Sequence, residues 1–344
     1  MAKKNTETED VSTITIHEKL IKEITNEFGD VCKVSSDIAN KPQTILKISP
    51  ALDLALNGGI LTGTWNLISG LPKTGKSTLA LSIIAAAQKQ EFGNRHAYYL
   101  DVEGRLKPMN LNGIYGLDQQ KITVISSQVG HILSAEKYLT IAENIAHSHP
   151  GCILILDSLS ALCVEKEMVG EMNSQTRASG PKLIAQFCRK LANVVPINDV
   201  TLIGIQHLIA NTSGYGPALM EDTGNKIQYQ TDNKLRVKSI EAYTIGSGQN
   251  EKRIGQIIHW QVLVSALGAI PGTTVSSYLR YGSGFDHIKE YIEQGINFGL
   301  IDKGGAWYKF GEDKFQGAEN LWLALNEKPE LLQELKSQIQ NLIA

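Results

Sequence analysis

"LISGLPKTGKSTLALSII", residues 67–84, is the stretch that decides the fold. An apolar run leads into two glycines, a proline, two lysines and a serine, and a second apolar run follows. Gly70 to Ser77 fits the spacing GxxxxGK[ST], which requires a strand before it and a helix after it. The flanking apolar runs predict both elements. The stretch therefore predicts a phosphate-binding loop in an α/β sheet, and the alternative is a glycine-rich turn that arose by chance.

This loop has the groups that a nucleoside triphosphate needs. Glycines let the backbone curl so that successive N–H groups point at phosphate oxygens, and the following helix presents its positive N-terminal end. The Lys76 ammonium reaches the outer phosphates, and the Ser77 hydroxyl can ligate Mg²⁺. The predicted nucleotide-binding residues are Gly70, Leu71, Pro72, Lys73, Thr74, Gly75, Lys76, Ser77 and Thr78.

Two acidic residues follow other apolar runs and would complete a nucleotide-hydrolysing site. Asp157 ends the run "CILILD", and open α/β sheets bind ligands at the carboxyl ends of their strands. We predict that Asp157 holds Mg²⁺ together with Ser77, the alternative being an ordinary helix cap after a strand. Glu103 follows "YYLDV" and can orient or deprotonate the attacking water. For Glu103 the alternative is a solvated acid in a turn, and the residues alone leave both interpretations open.

Short apolar runs alternate with helical patterns through residues 44–275. The runs "TWNLISG", "RHAYYLDVE", "KITVISS", "CILILDS" and "VTLIGIQH" are typical of buried strands. The segments "KSTLALSIIAAAQKQ", "LSAEKYLTIAENIAHS" and "GPKLIAQFCRKLANVV" have helical spacing. Apolar strands separated by helices predict an α/β fold, with a mostly parallel sheet flanked by helices on both faces.

Smaller units are predicted on both sides of this core. In residues 1–43, apolar side chains recur near helical spacing and Gly29 is a plausible stop, so we expect a helix that docks on this chain or on a neighbouring copy. Residues 276–344 combine helical patterns with the turn-rich stretch "DKGGAWYKFGED", which predicts a small α+β domain.

Composition limits the class of protein. The chain has 344 residues, 42% of them hydrophobic, and a formal net charge of −2. It lacks the basic balance that nucleic-acid-binding proteins often show, so any grip on DNA must come from local patches. The four cysteines have no CxxC spacing, which favours free thiols in a reducing compartment. No apolar run is long enough for a membrane span, and the N-terminus lacks a hydrophobic signal core, so we expect a cytoplasmic protein.

The order of these pieces resembles the bacterial RecA recombinases and their UvsX-type phage relatives. The resemblance covers residues 16–344 and includes "ISPALDLALNGGI", "YLDVEG", "LILDSLSAL", "FCRKLAN" and "IGIQH". Its most specific part is "GINFGLIDKGGAWYKFGEDKFQG", residues 295–317, which is typical of the small C-terminal domain of bacterial RecA. The resemblance implies a RecA-like P-loop NTPase core and argues against other motors built on that core.

The resemblance also implies a role for each matching residue. ATP and Mg²⁺ would be the cofactors, Glu103 the catalytic glutamate and Gln206 the sensor of the γ-phosphate, with Lys76 completing the catalytic set. Two DNA loops would lie at about residues 165–175 and 207–226. The implied DNA-binding residues are Arg177, Lys182, Arg189, His207, Asn225 and Lys226, and the aromatic side chain of Tyr215 within the second loop could stack between bases.

The residues of these DNA segments allow a second interpretation. Arg177 to Lys190 contains four basic residues and no acid, which suits phosphate contacts, but a short basic stripe can also be a solvated face. The segment "HLIANTSGYGPALMEDTGN" is long and glycine-rich, and such loops are usually functional or disordered. The alternative for that segment is a surface loop that orders only when it binds.

Some positions depart from the family pattern. The family's lysine pair at the subunit interface is replaced by Ser265 and Leu267, which removes charge stabilisation for phosphoryl transfer. Asn110 stands where the family has an aromatic residue near the adenine, and Pro72 and Lys73 are unusual inside the phosphate loop. The absence of an acidic C-terminal tail favours a phage protein.

Taken with the resemblance, the sequence predicts a DNA-dependent ATPase that forms helical filaments on single-stranded DNA and exchanges strands with a homologous duplex. Its expected partners are single-stranded DNA, homologous double-stranded DNA, copies of itself, and single-strand-binding and loading proteins. Two alternatives stay open. One is a hexameric helicase-like motor, and the other is an ATP-gated DNA-binding filament or mediator with little hydrolysis.

Overall fold

The structure, a computed structural model, divides the chain into two compact units, residues 1–43 and 44–344. It describes residues 7–169, 179–211, 218–223, 226–246 and 248–343. In the first unit, α1 spans Glu7–Phe28 and α2 spans Ser35–Ala39. Gly29 follows α1 with a φ of 83°, a left-handed conformation that favours glycine and ends the helix. The predicted N-terminal helix is confirmed and begins earlier than its apolar pattern indicated.

A central sheet organises the second unit. The strands of this unit up to the C-terminal region are β1 (Ile45–Leu46), β2 (Ile60–Leu61), β3 (Trp65–Gly70), β4 (Ala97–Asp101), β5 (Ile122–Ser126), β6 (Ile153–Asp157), β7 (Thr201–Ala210), β8 (Leu219–Glu221), β9 (Asn233–Ile245), β10 (Lys252–Val264), β11 (Thr274–Arg280) and β12 (Gly284–Phe285). In the described parts of the chain, the central sheet has the order β12–β11–β10–β9–β3–β7–β6–β4–β5, and β8 pairs with β7. A separate pair is formed by β1 and β2.

The strands from β9 to β5 in this order run parallel, as predicted, and β10, β11 and β12 continue the sheet in antiparallel fashion. The antiparallel part was not foreseen from the sequence. The proposed division after residue 275 stays a prediction, but β11 crosses that position and pairs with β10 along its length. Residues 276–285 therefore lie in the central sheet.

Helices cover both faces of the sheet. They are α3 (Pro50–Ala55), α4 (Lys76–Ala87), α5 (Pro108–Asn112), α6 (Ala135–Ser148), α7 (Glu165–Val169), α8 (Ser179–Leu191), α9 (Val194–Ile197) and α10 (Lys226–Tyr229). Successive residues of a strand point to opposite faces, so β6 serves two cores. Ile153 and Ile155 pack in the cluster that contains α4, whereas Leu154 and Leu156 pack in the cluster that contains α6 and α8.

A third cluster holds the C-terminal region together. This region contains α11 (His287–Asn297), β13 (Ile301–Gly304), β14 (Trp307–Phe310), β15 (Asp313–Gln316), α12 (Ala318–Glu327) and α13 (Pro329–Ile343). The three strands form an antiparallel sheet. Ile292, Phe310, Leu321 and Leu335 are buried between this sheet and the helices. The predicted α+β character is confirmed. Among the described helices, none has the combination of length and apolar content that a membrane crossing requires.

Candidate functional site

The phosphate loop connects β3 to α4, as its motif predicts. Gly75 has a φ of 87° and directly precedes the first residue of α4, Lys76. A Cβ atom at Gly75 would lie 2.4 Å from the side chain of Ile258, so glycine is required there by both conformation and space. Lys73 has a φ of 61°, which is uncommon for a residue with a side chain. The loop is therefore held in the curled conformation that lets backbone N–H groups converge on an anion.

Lys76 is the buried cation of this loop. It is only 6% exposed, and its ammonium donates a hydrogen bond of 2.7 Å to the carbonyl oxygen of Leu71. Burial lowers the pKa of Lys76, while the nearby charges of Asp157 and Glu103 oppose that shift. A phosphate group is the kind of partner that compensates a buried ammonium. Lys76 therefore fits a bound triphosphate.

Ser77 and Asp157 form the predicted metal side of the loop. The Ser77 hydroxyl donates to Asp157 Oδ2 at 2.6 Å, and the Tyr99 hydroxyl donates to the same oxygen. Burial raises the pKa of Asp157, and these two hydrogen bonds oppose the shift. Mg²⁺ takes oxygen ligands and usually binds proteins through one or two carboxylates together with substrate phosphates. A hydroxyl and a carboxylate in contact at the sheet edge fit that ion.

Glu103 lies beside Asp157, just beyond the end of β4. Asp101, the last residue of β4, is opposite Asp157 in the parallel pairing with β6. Ser158 donates to Glu103 Oε1 at 2.7 Å, so the residue after Asp157 also holds the predicted catalytic carboxylate. The contacts of Tyr99 and Ser158 with these two carboxylates were not predicted from the sequence, in which Ser158 was considered only as a possible helix cap. Tyr99 lies two residues before Asp101, within an apolar run that gave no signal beyond that of a buried strand.

Two further partners contact Glu103. Arg105 Nη1 lies 3.1 Å from Glu103 Oε2, and His207 Nε2 lies 3.0 Å from Glu103 Oε1. Ile203 and Ile205 pack in the cluster with α4, and the alternation along β7 places His207 on that same face. His207 was predicted to bind DNA, and the structure brings it to the nucleotide side of the sheet.

Gln206 lies in a different environment from His207, the next residue on β7. It is fully buried, and its Nε2 donates a hydrogen bond to the Thr223 hydroxyl. In the described part of the chain, no group donates to its Oε1 atom. Gln206 is thus bonded to the C-terminal part of the predicted second DNA loop, and its role as a γ-phosphate sensor stays a prediction.

Comparisons with known proteins match both parts of the chain. The sequence profile of the RecA N-terminal domain matches residues 15–286, and that of the RecA C-terminal domain matches residues 289–344. The chain belongs to the RecA family. Protein RecA of a Nitratiruptor species is 31% identical over 326 residues, which cover 93% of this chain and 91% of the relative. Protein RecA of Thermus aquaticus is 30% identical over 330 residues, 94% of this chain and 92% of the relative.

In this RecA-family protein, regular structure reaches into the predicted second DNA loop from both ends. β7 continues to Ala210, and β8 pairs with it so that Leu208 lies opposite Glu221. Ser160 links these strands to the nucleotide site, because its hydroxyl accepts the His207 N–H at 2.7 Å and donates to Asp222 at 2.6 Å. Arg177, Tyr215 and Asn225 lie outside the described residues, as does the Lys226 side chain.

The predicted DNA-binding helix α8 has a clear inner and outer face. Ile184, Phe187 and Cys188 are buried in the core, whereas Lys182 and Arg189 are exposed. Residues seven apart lie on the same side of a helix. Lys190 is turned toward α6, and its ammonium forms an ion pair of 2.8 Å with Glu143. Lys182 and Arg189 are therefore available to contact a polyanion, whereas Lys190 is already paired at the protein surface.

The positions of the family's missing lysine pair have other contacts here. The Ser265 hydroxyl donates to the Leu56 carbonyl oxygen at 3.3 Å, and the Leu267 carbonyl oxygen accepts a hydrogen bond from Asn57. A Cβ atom at Gly58 would lie 3.4 Å from the Leu267 side chain and 3.9 Å from the Lys47 ammonium. The Lys47 ammonium, from the segment after β1, thus lies beside Gly58, a residue that the Leu267 side chain also approaches. The sequence alone gave no sign of this charge.

Asn110, another departure from the family pattern, has a local structural role. Its side-chain oxygen accepts a hydrogen bond of 2.9 Å from the Lys107 N–H at the start of α5. Leu279 on β11 approaches the Cβ position of Gly75 in the phosphate loop, at 3.8 Å. A strand that was not predicted from the sequence therefore supplies a neighbour of this loop.

Proposed function

We propose that this RecA-family protein is an ATP-dependent recombinase that forms filaments on single-stranded DNA and catalyses homologous pairing and strand exchange. The observation that carries the proposal is the convergence of Lys76, Ser77, Asp157 and Glu103 at one edge of the sheet, directly beside the base of the predicted second DNA loop. ATP hydrolysis and DNA binding would thus involve neighbouring residues. Its site of action would be the cytoplasm.

Hydrolysis would use these residues in distinct roles. Glu103 accepts a proton from a water molecule while the water oxygen forms a bond to the γ-phosphorus. The bond between the γ-phosphorus and the β–γ bridging oxygen breaks, which releases ADP. Lys76 stabilises negative charge on the transferred phosphoryl group. Mg²⁺, held by Ser77 and Asp157, would supply further positive charge beside the phosphates. Release of the product phosphate removes the negative charge of the γ-phosphate, so the protein contacts that depend on this charge are lost.

A D-loop assay tests this function. We expect pairing of a single strand with a homologous duplex in the presence of ATP, retained first-round pairing with a non-hydrolysable analogue, and none without nucleotide, because the triphosphate favours the DNA-gripping state. A heterologous duplex is the matched control. Pairing that proceeds equally well without nucleotide would contradict the proposal.

The helicase-like motor has less support. The C-terminal region that matches the RecA C-terminal domain is the part that distinguishes this chain from such motors. A filament or mediator with little hydrolysis is a second candidate, and Ser265 and Leu267 favour it because neither supplies a charge to a neighbour's phosphates. ATP-dependent filament formation without DNA-stimulated hydrolysis would identify that second function.

Self-assembly would use the N-terminal unit. In residues 1–43, several apolar side chains are exposed. These residues are Leu20, Phe28, Val31, Val34 and Ile38. Exposed apolar groups of this kind mark surfaces that bind other proteins. We propose that they dock on a neighbouring copy of the chain, which would bring successive nucleotide sites into one filament.

DNA binding should depend on the outer face of α8. Replacing Lys182 and Arg189 together with alanine should weaken single-stranded DNA binding for all sequences, because both side chains are exposed cations that suit phosphate contacts. The slope of log affinity against log salt concentration should decrease in magnitude by about 1.4, or about 0.7 for each lost phosphate contact.

Lys190→Ala is the matched control for that experiment, since it removes one cation from the same helix but one that Glu143 already pairs. Fluorescence anisotropy with labelled oligonucleotides at several salt concentrations gives both slopes. An unchanged slope in the double variant would exclude these residues from the DNA interface.

A further inference from the structure

Arg105 is an exposed cation at the nucleotide edge of the sheet. Its Nη1 atom lies 3.1 Å from Glu103 Oε2, and its side chain is 78% exposed, whereas the Glu103 side chain is 13% exposed. An ion pair with so exposed a partner adds little to stability, because water screens it and the long side chain loses freedom when it is held. The contact therefore contributes little to the fold, and a contribution to the reaction is the alternative that the site suggests.

The backbone of the loop after β4 is fixed on both sides of Arg105. The buried carboxylate of Asp101 accepts the N–H of Arg105 at 3.0 Å and the N–H of Leu106 at 2.9 Å. Leu106 also packs against the cluster that contains α4. Gly104 has a φ of 64°, a left-handed turn that favours glycine, and across this turn the side chains of Glu103 and Arg105 meet. The guanidinium is thus presented from a fixed backbone position.

The contact with Glu103 brings Arg105 close to the groups that fit a triphosphate. Burial lowers the pKa of Lys76, and the charges of Asp157 and Glu103 oppose that shift, so these three groups are near enough to influence one another. Ser158, the residue after Asp157, donates to the other oxygen of Glu103. Glu103 therefore interacts with one cation from the phosphate loop and with a second cation from its own loop.

The guanidinium of Arg105 has donors that its contact with Glu103 does not use. An arginine side chain carries five N–H groups in a planar fork, and among the described residues only Nη1 lies near a carboxylate, that of Glu103. The fork matches the spacing of phosphate oxygens and stays charged throughout the working pH range. Phosphoryl transfer spreads negative charge over the oxygens of the transferred group, and an arginine that binds them accelerates the reaction. Arg105 has the chemistry and the position for this task.

We infer that Arg105 is a further catalytic residue, whose guanidinium binds the γ-phosphate of the ATP held by the same chain. The inference rests on the proposed function, because it takes ATP as the ligand and Glu103 as the base. Without nucleotide, Arg105 is paired with Glu103. With nucleotide, its unused N–H groups contact the γ-phosphate oxygens and stabilise their charge during transfer, next to Lys76.

Nucleotide binding by the full-length protein, with Mg²⁺ and without DNA, tests the contact in the absence of hydrolysis. Arg105→Ala should lower the affinity for AMP-PNP, a non-hydrolysable ATP analogue, about ten-fold, the effect of losing one hydrogen bond to a charged group. The affinity for ADP, which lacks the γ-phosphate, should stay the same. Competition against a fluorescent ADP derivative measures both affinities.

ATP hydrolysis gives a second measurement on the same variant. The kcat of Arg105→Ala should fall about 100-fold or more, the usual effect of removing a preorganised donor to a developing charge. The fall should be the same with and without single-stranded DNA, since Arg105 lies outside the predicted DNA loops. A rise in kcat would overturn the inference, because Arg105 would then only restrain the base.

Lys107→Ala is the matched control, because it removes another exposed cation two residues further along the same loop. It should leave both nucleotide affinities and kcat unchanged. Arg105→Gln, which removes the charge but keeps a longer polar side chain, should behave like Arg105→Ala. The inference is overturned if Arg105→Ala, with an unfolding temperature equal to that of the wild type, loses affinity for both nucleotides equally. It is also overturned if both affinities are kept and only single-stranded DNA binding weakens, since Arg105 would then contact DNA.

A failure of the proposed function gives a different pattern of results. A wild-type protein that binds both nucleotides but forms no D-loops would overturn the proposed function alone, and the two affinities would still show whether Arg105 contacts the γ-phosphate. A wild-type protein that binds neither nucleotide would overturn both.

Discussion

Lys76→Ala should lower the rate of ATP hydrolysis by about 100-fold or more and weaken ATP binding. The ammonium is 6% exposed and is held inside the phosphate loop by the Leu71 carbonyl oxygen. Loss of one preorganised donor to a developing charge typically costs about 10²–10³ in rate. ATP-dependent filament assembly on single-stranded DNA should be lost as well, since the triphosphate would no longer be held. Steady-state ATPase assays and electron microscopy of filaments measure the two effects.

Lys73→Ala is the matched control, because the predicted contribution of Lys73 to nucleotide binding is that of the loop backbone, which alanine retains, and its side chain is exposed. The left-handed conformation at Lys73 imposes the same backbone cost on alanine as on lysine, since both carry a Cβ atom. We expect hydrolysis within a few-fold of the wild type. Thermal unfolding shows whether either variant has lost its fold. A folded Lys76→Ala protein that hydrolyses ATP at the wild-type rate would contradict the assignment of this site.

Local sequence patterns were sufficient to predict the part of the sheet that carries the nucleotide site. β3, β4 and β6 are short, apolar and buried, and each leads into the polar residues that the sequence analysis singled out. Since parallel strands end at the same edge, the sequence alone could place Ser77, Glu103 and Asp157 together. The contact between Ser77 and Asp157 confirms that these two residues meet.

The antiparallel part of the sheet and the neighbouring strand β9 were missed because their pattern is not that of a fully buried strand. β9 is 13 residues long, and a run of five exposed residues interrupts its buried positions. β10 pairs with it through several register shifts. Its buried residues Ile258, Trp260 and Val262 alternate with less buried residues instead of forming the continuous apolar run of the parallel strands. Tertiary pairing between two long neighbours stabilises these strands, and a short sequence window does not contain that information.

The partners of Glu103 could not be predicted for a different reason. Ser158 is 55 residues from Glu103 in the chain, and the sequence analysis assigned His207 to DNA on the strength of the family resemblance alone. Strand order decides that β4, β6 and β7 are neighbours, and only then do these three side chains meet. The same holds for Lys47 and Leu267, which both approach Gly58 although 220 positions separate the two residues.

Glu103→Gln should lower kcat for ATP hydrolysis by about 10²–10⁴, the usual contribution of a general base. The amide keeps the size of the side chain and can still accept the Ser158 hydrogen bond, but it cannot take a proton from water. Lys76, Ser77 and Asp157 are unchanged, so ATP binding and filament assembly should persist. Filaments on single-stranded DNA should therefore form with ATP and disassemble far more slowly than those of the wild type.

Glu91→Gln is the control for this substitution, because Glu91 is an exposed acid that precedes β4, at the opposite end of that strand from Glu103. It should leave hydrolysis and filament lifetime unchanged. First-round D-loop formation by Glu103→Gln should also survive, since pairing depends on bound triphosphate and not on its cleavage. If Glu103→Gln hydrolysed ATP at more than about a tenth of the wild-type rate, a smaller loss than a general base accounts for, another group would have to be the base.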